Sequence, residues 1–459
     1  MRKRLSNYLP RFRQKKPLWY TLLLIVFTLT TGILLWQHSP ELRKIETAKA
    51  NNISATNISI TSNGTTKKAT ITFTVAWDNS YNLAYDGQLF KDQAWIFIKY
   101  STQGGADGTW HHATLTTGGT VTPTADGKGA FVDPGANQTV VWNYGGDGLS
   151  NGYAKIRIGA LEMVKIPTGQ FWYNAAGIGG SSYNNFGGGS EALVASINDK
   201  PAGTAANWPN GYNAFYLAKY EVSQGQYVDY LNTLSSGEAT SVWASCGGYR
   251  NTVTYTAGNA YGSRYATTTP NRAMNCVSWG DAEAYSSWVG LRPMTEMEYE
   301  KAGRGTSVGQ TNKNTYPWGM GGPDCGAYTW DGASIPSYYT NCCNLAGGPV
   351  DVGHYLSKDI TRSDSQTGAS PYGVADLAGN LWEQVINNAW TKLPANGNGT
   401  ISPPASWPTA SAGRGVRGGG WNSYGGGVAF LRLSDRIYAG DDSAGRSASY
   451  GIRPARTVE

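Results

Sequence analysis

Residues able to do redox or metal chemistry are scarce in this chain of 459 amino acids, which has four histidines and five cysteines. No two cysteines form a C-x-x-C, so zinc-ribbon and thioredoxin-like sites have no support. No cysteine follows Cys343, which leaves the C-terminal segment without a thiol. The histidines are His38, the adjacent pair His111-His112, and His354. Successive strand residues face opposite sides, so the pair is poorly placed to hold one ion. A general basic surface is also missing. The formal charge is +6, but residues 1–17 hold Arg2, Lys3, Arg4, Arg11, Arg13, Lys15 and Lys16 and no acid. With the N-terminal 50 residues set aside, the body carries about −2, which excludes a broad footprint for nucleic acid.

Glycine and aromatic residues are abundant instead: 60 Gly, 29 Tyr, 17 Trp and 10 Phe, in a composition 40% hydrophobic. That profile predicts a globular chain of many turns and short strands with large rings in its core. Residues 1–17 read as a basic cytoplasmic tail. Residues 18–36 are an uncharged, mostly apolar run bounded by Trp19, Tyr20 and Trp36. As a helix it would reach roughly 28 Å, close to the ~30 Å hydrocarbon core of a bilayer. Its positive flank predicts a single-pass anchor with the bulk of the chain outside the cytoplasm. The alternative is a signal removed after Ala50, giving a secreted protein. Residues 37–50 read as a stalk. In an exported body the cysteines are expected to pair, and the odd count leaves one over.

Residues 51–160 read as a small all-β sandwich domain. Ile71, Phe73, Val75 and Trp77 alternate with small or polar residues, the period of a half-buried strand. Residues 95–100, 110–115, 139–142 and 155–161 continue the pattern between Gly- and Asn-rich turns. From residue 161 to 459 the character changes. Ser223-x-x-Gln226, Ser278-x-x-Asp281 and Thr295-x-x-Glu298 are capping-box patterns, each opening a helix. Residues 413–456 mix Gly, Ser, Asp, Arg and Tyr without helical or strand periodicity. Such a composition suits an exposed binding surface, or a Gly-rich loop that contacts nothing.

Seven stretches in order resemble the formylglycine-generating enzyme, or sulfatase-modifying factor, family. They are MVKIPTGQF at residues 163–171, YEVSQGQYVDYL at 220–231, VSWGDAEAYSSWVGLRPMTEMEYEKAGRG at 277–305, YPWG at 316–319, YGVADLAGNLWEQ at 372–384, RGVRGGGW at 414–421 and YGIRPAR at 450–456. The resemblance implies an α+β fold, with a C-type-lectin-like domain following the all-β sandwich and the N-terminal transmembrane helix. The family's oxidases use a cysteine pair to bind copper and convert a substrate cysteine to formylglycine. Counting from Arg417, those positions hold Ser423 and Val428, and a hydroxyl and an isopropyl group cannot replace two thiolates as copper ligands. No copper and no catalytic residue are therefore expected. Iron-dependent sulfur-transfer relatives need three histidines, which this chain does not group. The segment containing Asp376, Gly379, Leu381 and Glu383 corresponds to a structural calcium site; Asp376 stands where asparagine is usual, which keeps an oxygen ligand. The other reading is that Trp382 and Glu383 buttress the core.

The tail also resembles that of variable proteins of diversity-generating retroelements, in which a lectin-like segment displays a ligand-binding surface. The resemblance points to Asn422, Ser423, Tyr424, Phe430, Arg432, Ser434, Asp435, Tyr438, Asp441, Asp442, Ser449 and Tyr450 as contacts for a protein or glycan ligand. The expectation is thus a membrane-anchored binding protein; a formylglycine-generating oxidase and an extracytoplasmic assembly subunit are the alternatives. Three other constellations point elsewhere. Glu296, Glu298 and Glu300 suit the positive end of a helix dipole. Gly418-Gly419-Gly420 lacks the Lys and helix of a phosphate loop. Arg432, Arg436, Arg446, Arg453 and Arg456 could bind an anion, with the last two expected to be structural.

Overall fold

In a computed structural model the chain is described over residues 44–46, 53–85, 88–150, 154–174, 186, 191–305, 315–319, 340–342, 347–355, 368–409, 413–423, 429–441 and 445–458. Residues 18–36 lie outside these, and no helix among the described residues is long and apolar enough to cross a membrane.

Strands β1 (Ser54–Asn63) and β2 (Lys68–Ala76) form an antiparallel pair. The alternation in β2 is realised: Ile71, Phe73 and Val75 are fully buried, while the residues between them are half-exposed. Strand β3 (Gln88–Ser101) belongs to a second, nine-stranded sheet, and β4 (Gly135–Trp142) returns to pair with β2. Ile71, Phe73, Val75 and Val140 from the first sheet and Ile96 and Ile98 from the second fill one core, which makes the layers of a sandwich.

The second face of β3 is buried as well. Trp95 and Phe97 point away from the sandwich into a separate core formed with Tyr227, Tyr230, Tyr285 and Trp288. This explains the nearly unbroken apolar run Trp95-Ile96-Phe97-Ile98: a strand covered on both sides has no solvent face to keep polar. Strand β5 (Lys155–Ile166) pairs with β3 over ten residues and runs through positions 160 and 161 without a break. Its alternate residues Ile156, Ile158 and Ala160 face the sandwich core, while Leu161 and Met163, on the opposite face, join the helical core. Residues 42–459 accordingly cluster as one unit.

The sheet continues through β6 (Phe215–Ala218) to the C-terminal strand, with the short Arg292–Pro293 strand at its far edge. Helices α1 (Gln224–Leu231), α2 (Ser236–Val242), α3 (Trp279–Trp288) and α4 (Glu296–Arg304) all open on complete capping boxes, at Ser223, Ser235, Ser278 and Thr295. Each box satisfies two N-terminal donors reciprocally. Cys246 and Cys276 form a disulfide with Cα atoms 6.0 Å apart. Cys342 is also disulfide-bonded.

Glu296 and Glu298 lie in the first turn of α4, at the positive end of its dipole as expected. With Glu300 they are at most 1% exposed, and all three are paired to arginines, which the dipole reading did not include. Arg292 grips Glu298 through both guanidinium nitrogens at 2.8 and 2.6 Å, fixing the sheet edge to the helix.

Helix α3 contains a contrasting carboxylate. Glu283 is 5% exposed and its Oε1 has no hydrogen-bond partner. Burial pushes its pKa up to about 8, against the smaller opposing effects of Trp279 and Arg414. Because the folded value lies above the unfolded one, the folded state holds the extra proton between about pH 4.3 and that raised value, and stability falls as pH rises through this window. The expected outcome is that E283Q matches the wild-type melting temperature near pH 4 and exceeds it increasingly up to pH 8. A constant difference across a pH series of thermal melts would contradict this assignment.

Candidate functional site

The tail is positioned by a three-stranded sheet. Strand β7 (Trp382–Ile386) lies at its centre, with β8 (Arg414–Arg417) antiparallel on one side and β9 (Tyr450–Gly451) parallel on the other. After β8 the chain turns through Gly418 and Gly419, at φ +87° and +67°. Gly418 donates no phosphate cradle; its carbonyl accepts from Gly379 N at 2.8 Å, and a Cβ there would run into the Leu377 carbonyl. Trp421 then anchors the returning chain, its indole N–H donating to Ala448 O at 3.0 Å. The backbone next to β8 is drawn in by Val416 N donating to Tyr438 O at 2.9 Å.

Beneath this frame lies a buried charge network. Glu296 on α4 accepts from Arg417 at 3.0 Å and from two nitrogens of Arg436 at 2.8 and 2.7 Å. Glu300 takes Arg417 at 3.2 Å and Arg304 at 2.8 Å. Arg417 also donates to Leu433 O. The two tail arginines therefore bolt residues 414–417 and 431–436 onto the same helix.

Above it is an open cleft of about 570 Å³. Of the twelve expected contact residues, Asn422, Ser423, Phe430, Tyr438, Asp441, Ser449 and Tyr450 line it. Phe430 and Tyr438 pack with Trp382 as a triangle of rings, with centroids 5.3 to 5.6 Å apart. Tyr438 is 42% exposed, so the cluster opens to solvent. The Tyr450 hydroxyl donates to the Asp441 carboxylate, and the Ser447 and Ser449 hydroxyls are 3.1 Å apart. Ser423 is 4% exposed; its Oγ accepts from Gly420 N at 3.1 Å and closes a turn.

The other expected contacts are elsewhere. Ser434 and Asp435 are only 1% and 3% exposed, which places them under the surface. Burial raises the Asp435 carboxyl to about 6. Arg432 is half-buried and outside the cleft wall. Tyr424 and Asp442, and Val428 with them, lie outside the described residues. Four of the five arginines considered for an anion are committed to acids: Arg436 is held by Glu296, Arg446 by Asp281 at 2.8 Å, Arg453 by Glu383 at 2.6 Å and Arg456 by Asp126 at 2.8 Å. Trp382 is the wall residue that a core role did not anticipate. Its strand neighbour Glu383 faces inward, so alternation turns Trp382 toward the cleft.

The segment expected to hold calcium lies behind this sheet. Asp376 adopts φ +57°, and its carboxylate accepts from Gly353 N at 2.6 Å. Glu383 Oε1 accepts from Arg453, while Oε2 is buried without a partner. Glu221 closes the cluster by accepting from Asn380 and from Leu381 N. Burial holds Glu221, Asp376 and Glu383 above the usual carboxylate range, Arg453 pulling the other way. No group of three or more His, Cys, Asp or Glu side chains suited to a metal occurs among the described residues. Two carboxylates supplemented by the main-chain oxygens of Gly379 and Leu381 are a different donor set, chemically suited to a hard cation.

The profile of the sulfatase-modifying factor enzyme 1-like domain matches residues 154–458. The chain belongs to this family. A formylglycine-generating enzyme of Thermomonospora curvata is 32% identical over 122 residues, 25% of this chain and 33% of the relative. A mouse protein named inactive C-alpha-formylglycine-generating enzyme 2 is 34% identical over 135 residues, 28% of this chain and 36% of the relative. A hercynine oxygenase of Mycobacterium tuberculosis is 25% identical over 253 residues, 53% of this chain and 47% of the relative. The matches thus span from a third to about a half of these relatives' lengths. A solved structure of a Major Tropism Determinant U1 variant aligns over 91% of this chain and 99% of its own at 12% identity, with a TM-score of 0.25. A superposition that poor bears on neither fold nor function.

The charge network and the cleft make opposite predictions for substitution. Glu296→Ala strands Arg436 in the interior and leaves Arg417 with Glu300 alone, and is expected to cost about 3–5 kcal/mol. Tyr438→Ala trims an exposed side chain and is expected to cost about 1 kcal/mol or less. Denaturant midpoints of the two variants against wild type check the contrast.

Proposed function

We propose that this chain is a non-catalytic binding protein, anchored by residues 18–36, whose ligand is taken up outside the cytoplasm in the cleft framed by Trp382, Phe430, Tyr438 and Tyr450. The observation that carries this reading is Ser423. It occupies a position where the family resemblance calls for a copper-binding cysteine, and its hydroxyl is already committed to Gly420 N. The disulfide at Cys276 does not compensate. It supports the cleft wall, Cys276 N donating to Ser447 O at 2.9 Å, and a disulfide offers no thiolate to a metal. A wall of rigid aromatics with adaptable hydroxyls suits recognition.

Diversification by a retroelement would fall on the segment from Asn422 to Tyr450; a reverse-transcriptase gene and a template repeat beside the coding sequence are the observation it requires. In the calcium segment, Asp376, Glu383 and the carbonyls of Gly379 and Leu381 would hold the ion, with the unpaired Glu383 Oε2 supporting the fit. Its contribution would be structural, neutralising buried carboxylates and fixing the turn that leads into β7. The expected signature is a rise in melting temperature with millimolar calcium that is lost in D376A; identical melts with calcium and with chelator would remove the site.

The test of the main reading pairs two assays on the full chain. Incubated with copper, oxygen and a cysteine-containing peptide, the protein is expected to leave the cysteine unconverted by mass spectrometry. Formation of formylglycine would establish the oxidase alternative instead. Cells displaying the protein are then screened for ligands, and capture is expected to fail in variants carrying Phe430→Ala, Tyr438→Ala and Tyr450→Ala whose melting temperature is preserved. Capture unaffected by all three would place the binding surface elsewhere.

A further inference from the structure

The cleft's chemistry narrows the ligand class, on the footing of the binding reading above. Its described wall contains one ionisable acid, Asp441, and no Lys, Arg or His. Phosphate, sulfate and carboxylate groups would enter a field of their own sign with no counter-charge. Of the tail arginines, Arg436 is spent on Glu296 and Arg446 on Asp281, and Arg432 lies outside the described wall.

Much of the main chain is also engaged. The backbone along the cleft is paired internally: Val416 N with Tyr438 O, Trp382 N with Ser449 O, Ser423 N with Gly420 O, Asp441 N with Tyr438 O. Strand β7 is flanked on both sides. An extended peptide adding itself as a strand needs an unpaired edge, and the central strand β7 has none. The side chains of the described wall are of two kinds. One is the open ring cluster with Tyr438 at its mouth. The other is a row of hydroxyl, amide and carboxylate groups on Asn422, Asp441, Ser447, Ser449 and Tyr450.

We infer that the cleft binds a neutral saccharide. A pyranose ring has an apolar face of C–H bonds that packs on the electron-rich face of an aromatic ring, and a rim of hydroxyls that both donate and accept. The aromatic cluster provides the platform at one side of the cleft. Asp441, positioned by the Tyr450 hydroxyl, provides a carboxylate acceptor of the kind that makes the stronger, charge-assisted hydrogen bonds. The cleft's openness and its volume of about 570 Å³ accommodate a short oligosaccharide segment lying across it, with the chain continuing at both ends.

The test uses the full chain and a panel of neutral gluco-, manno-, galacto-, xylo- and chito-oligosaccharides, with sulfated and uronic-acid oligosaccharides alongside. Binding is read by saturation-transfer NMR and isothermal titration calorimetry. At least one neutral oligosaccharide is expected to bind. Tyr438→Ala and Asp441→Asn are each expected to weaken it about tenfold, whereas Tyr438→Phe, which keeps the ring, stays within about twofold. Melting temperatures confirm that each variant is folded. Tighter binding of the acidic panel than of every neutral sugar would overturn the inference. Absence of neutral-sugar binding, together with capture of a protein ligand that Tyr438→Ala abolishes, would overturn the saccharide class and leave the cleft reading standing. Neutral-sugar binding unchanged in all variants would overturn the cleft reading as well.

Discussion

Two carboxylates on one turn of a buried helix hold the tail of this protein in place. Glu296 and Glu300 receive Arg417 from one segment and Arg436 from another, so two stretches with little regular structure of their own share a single anchor. Burial makes the arrangement unforgiving. A guanidinium in water loses little when its partner leaves, whereas one inside the protein is left with an uncompensated charge. Arg417 and Arg436 are shielded from solvent, and the strong mutual pull keeps Glu296 below the usual carboxylate range even though burial alone would raise it. The same principle recurs at Arg453, which reaches Glu383 and three backbone carbonyls, and at Arg292, which ties the sheet edge to Glu298. Ion pairs of this kind fix position more than they add net stability. Position is what an irregular segment lacks.

The frame beneath the network is a sheet with no idle face. Strands β3 and β5 separate the sandwich core from the helical core, and alternate residues of β3 belong to different cores. Lys219 reinforces the junction. It donates to Asp92 at 2.7 Å and to Asn79 O at 2.7 Å, and Asp92 also accepts from the Trp77 indole. The early β region is thereby part of the platform on which the family domain is built.

What the sequence makes legible is what neighbouring residues decide between themselves. The alternation around Ile71–Val75 and the capping boxes at Ser223, Ser278 and Thr295 are contacts within a few positions, so pattern alone identifies them. The acids of α4 show where this fails. Their spacing fits a helix dipole, and nothing local reveals that Glu296 faces an arginine 121 residues away. Ser434 and Asp435 fail for a related reason: their polarity marks them as surface, while the turn that buries them is set by the anchoring of Arg436. Trp382 is the converse. Strand alternation states that it opposes Glu383, but which side is wet depends on where residues 430–438 cross.

The tail therefore interleaves two sets of residues with different duties. Arg417, Leu431, Leu433, Arg436, Ala439 and Arg453 are buried and carry the fold, whereas Phe430, Tyr438, Asp441 and Tyr450 face the cleft. From Phe430 on, members of the two sets sit one to three positions apart. Where the cleft backbone is hydrogen-bonded inward, as at Trp382, Val416 and Asp441, the second set contributes side chains to a surface whose shape the first set maintains. Changing a cleft side chain alters what is recognised, while the anchors beneath it, and the conformation they impose, stay as they were. A site built this way does not need regular secondary structure to be rigid, and the glycine-rich composition that gives the tail the look of an idle loop is the means by which its backbone passes close to β7 and to the loop before it.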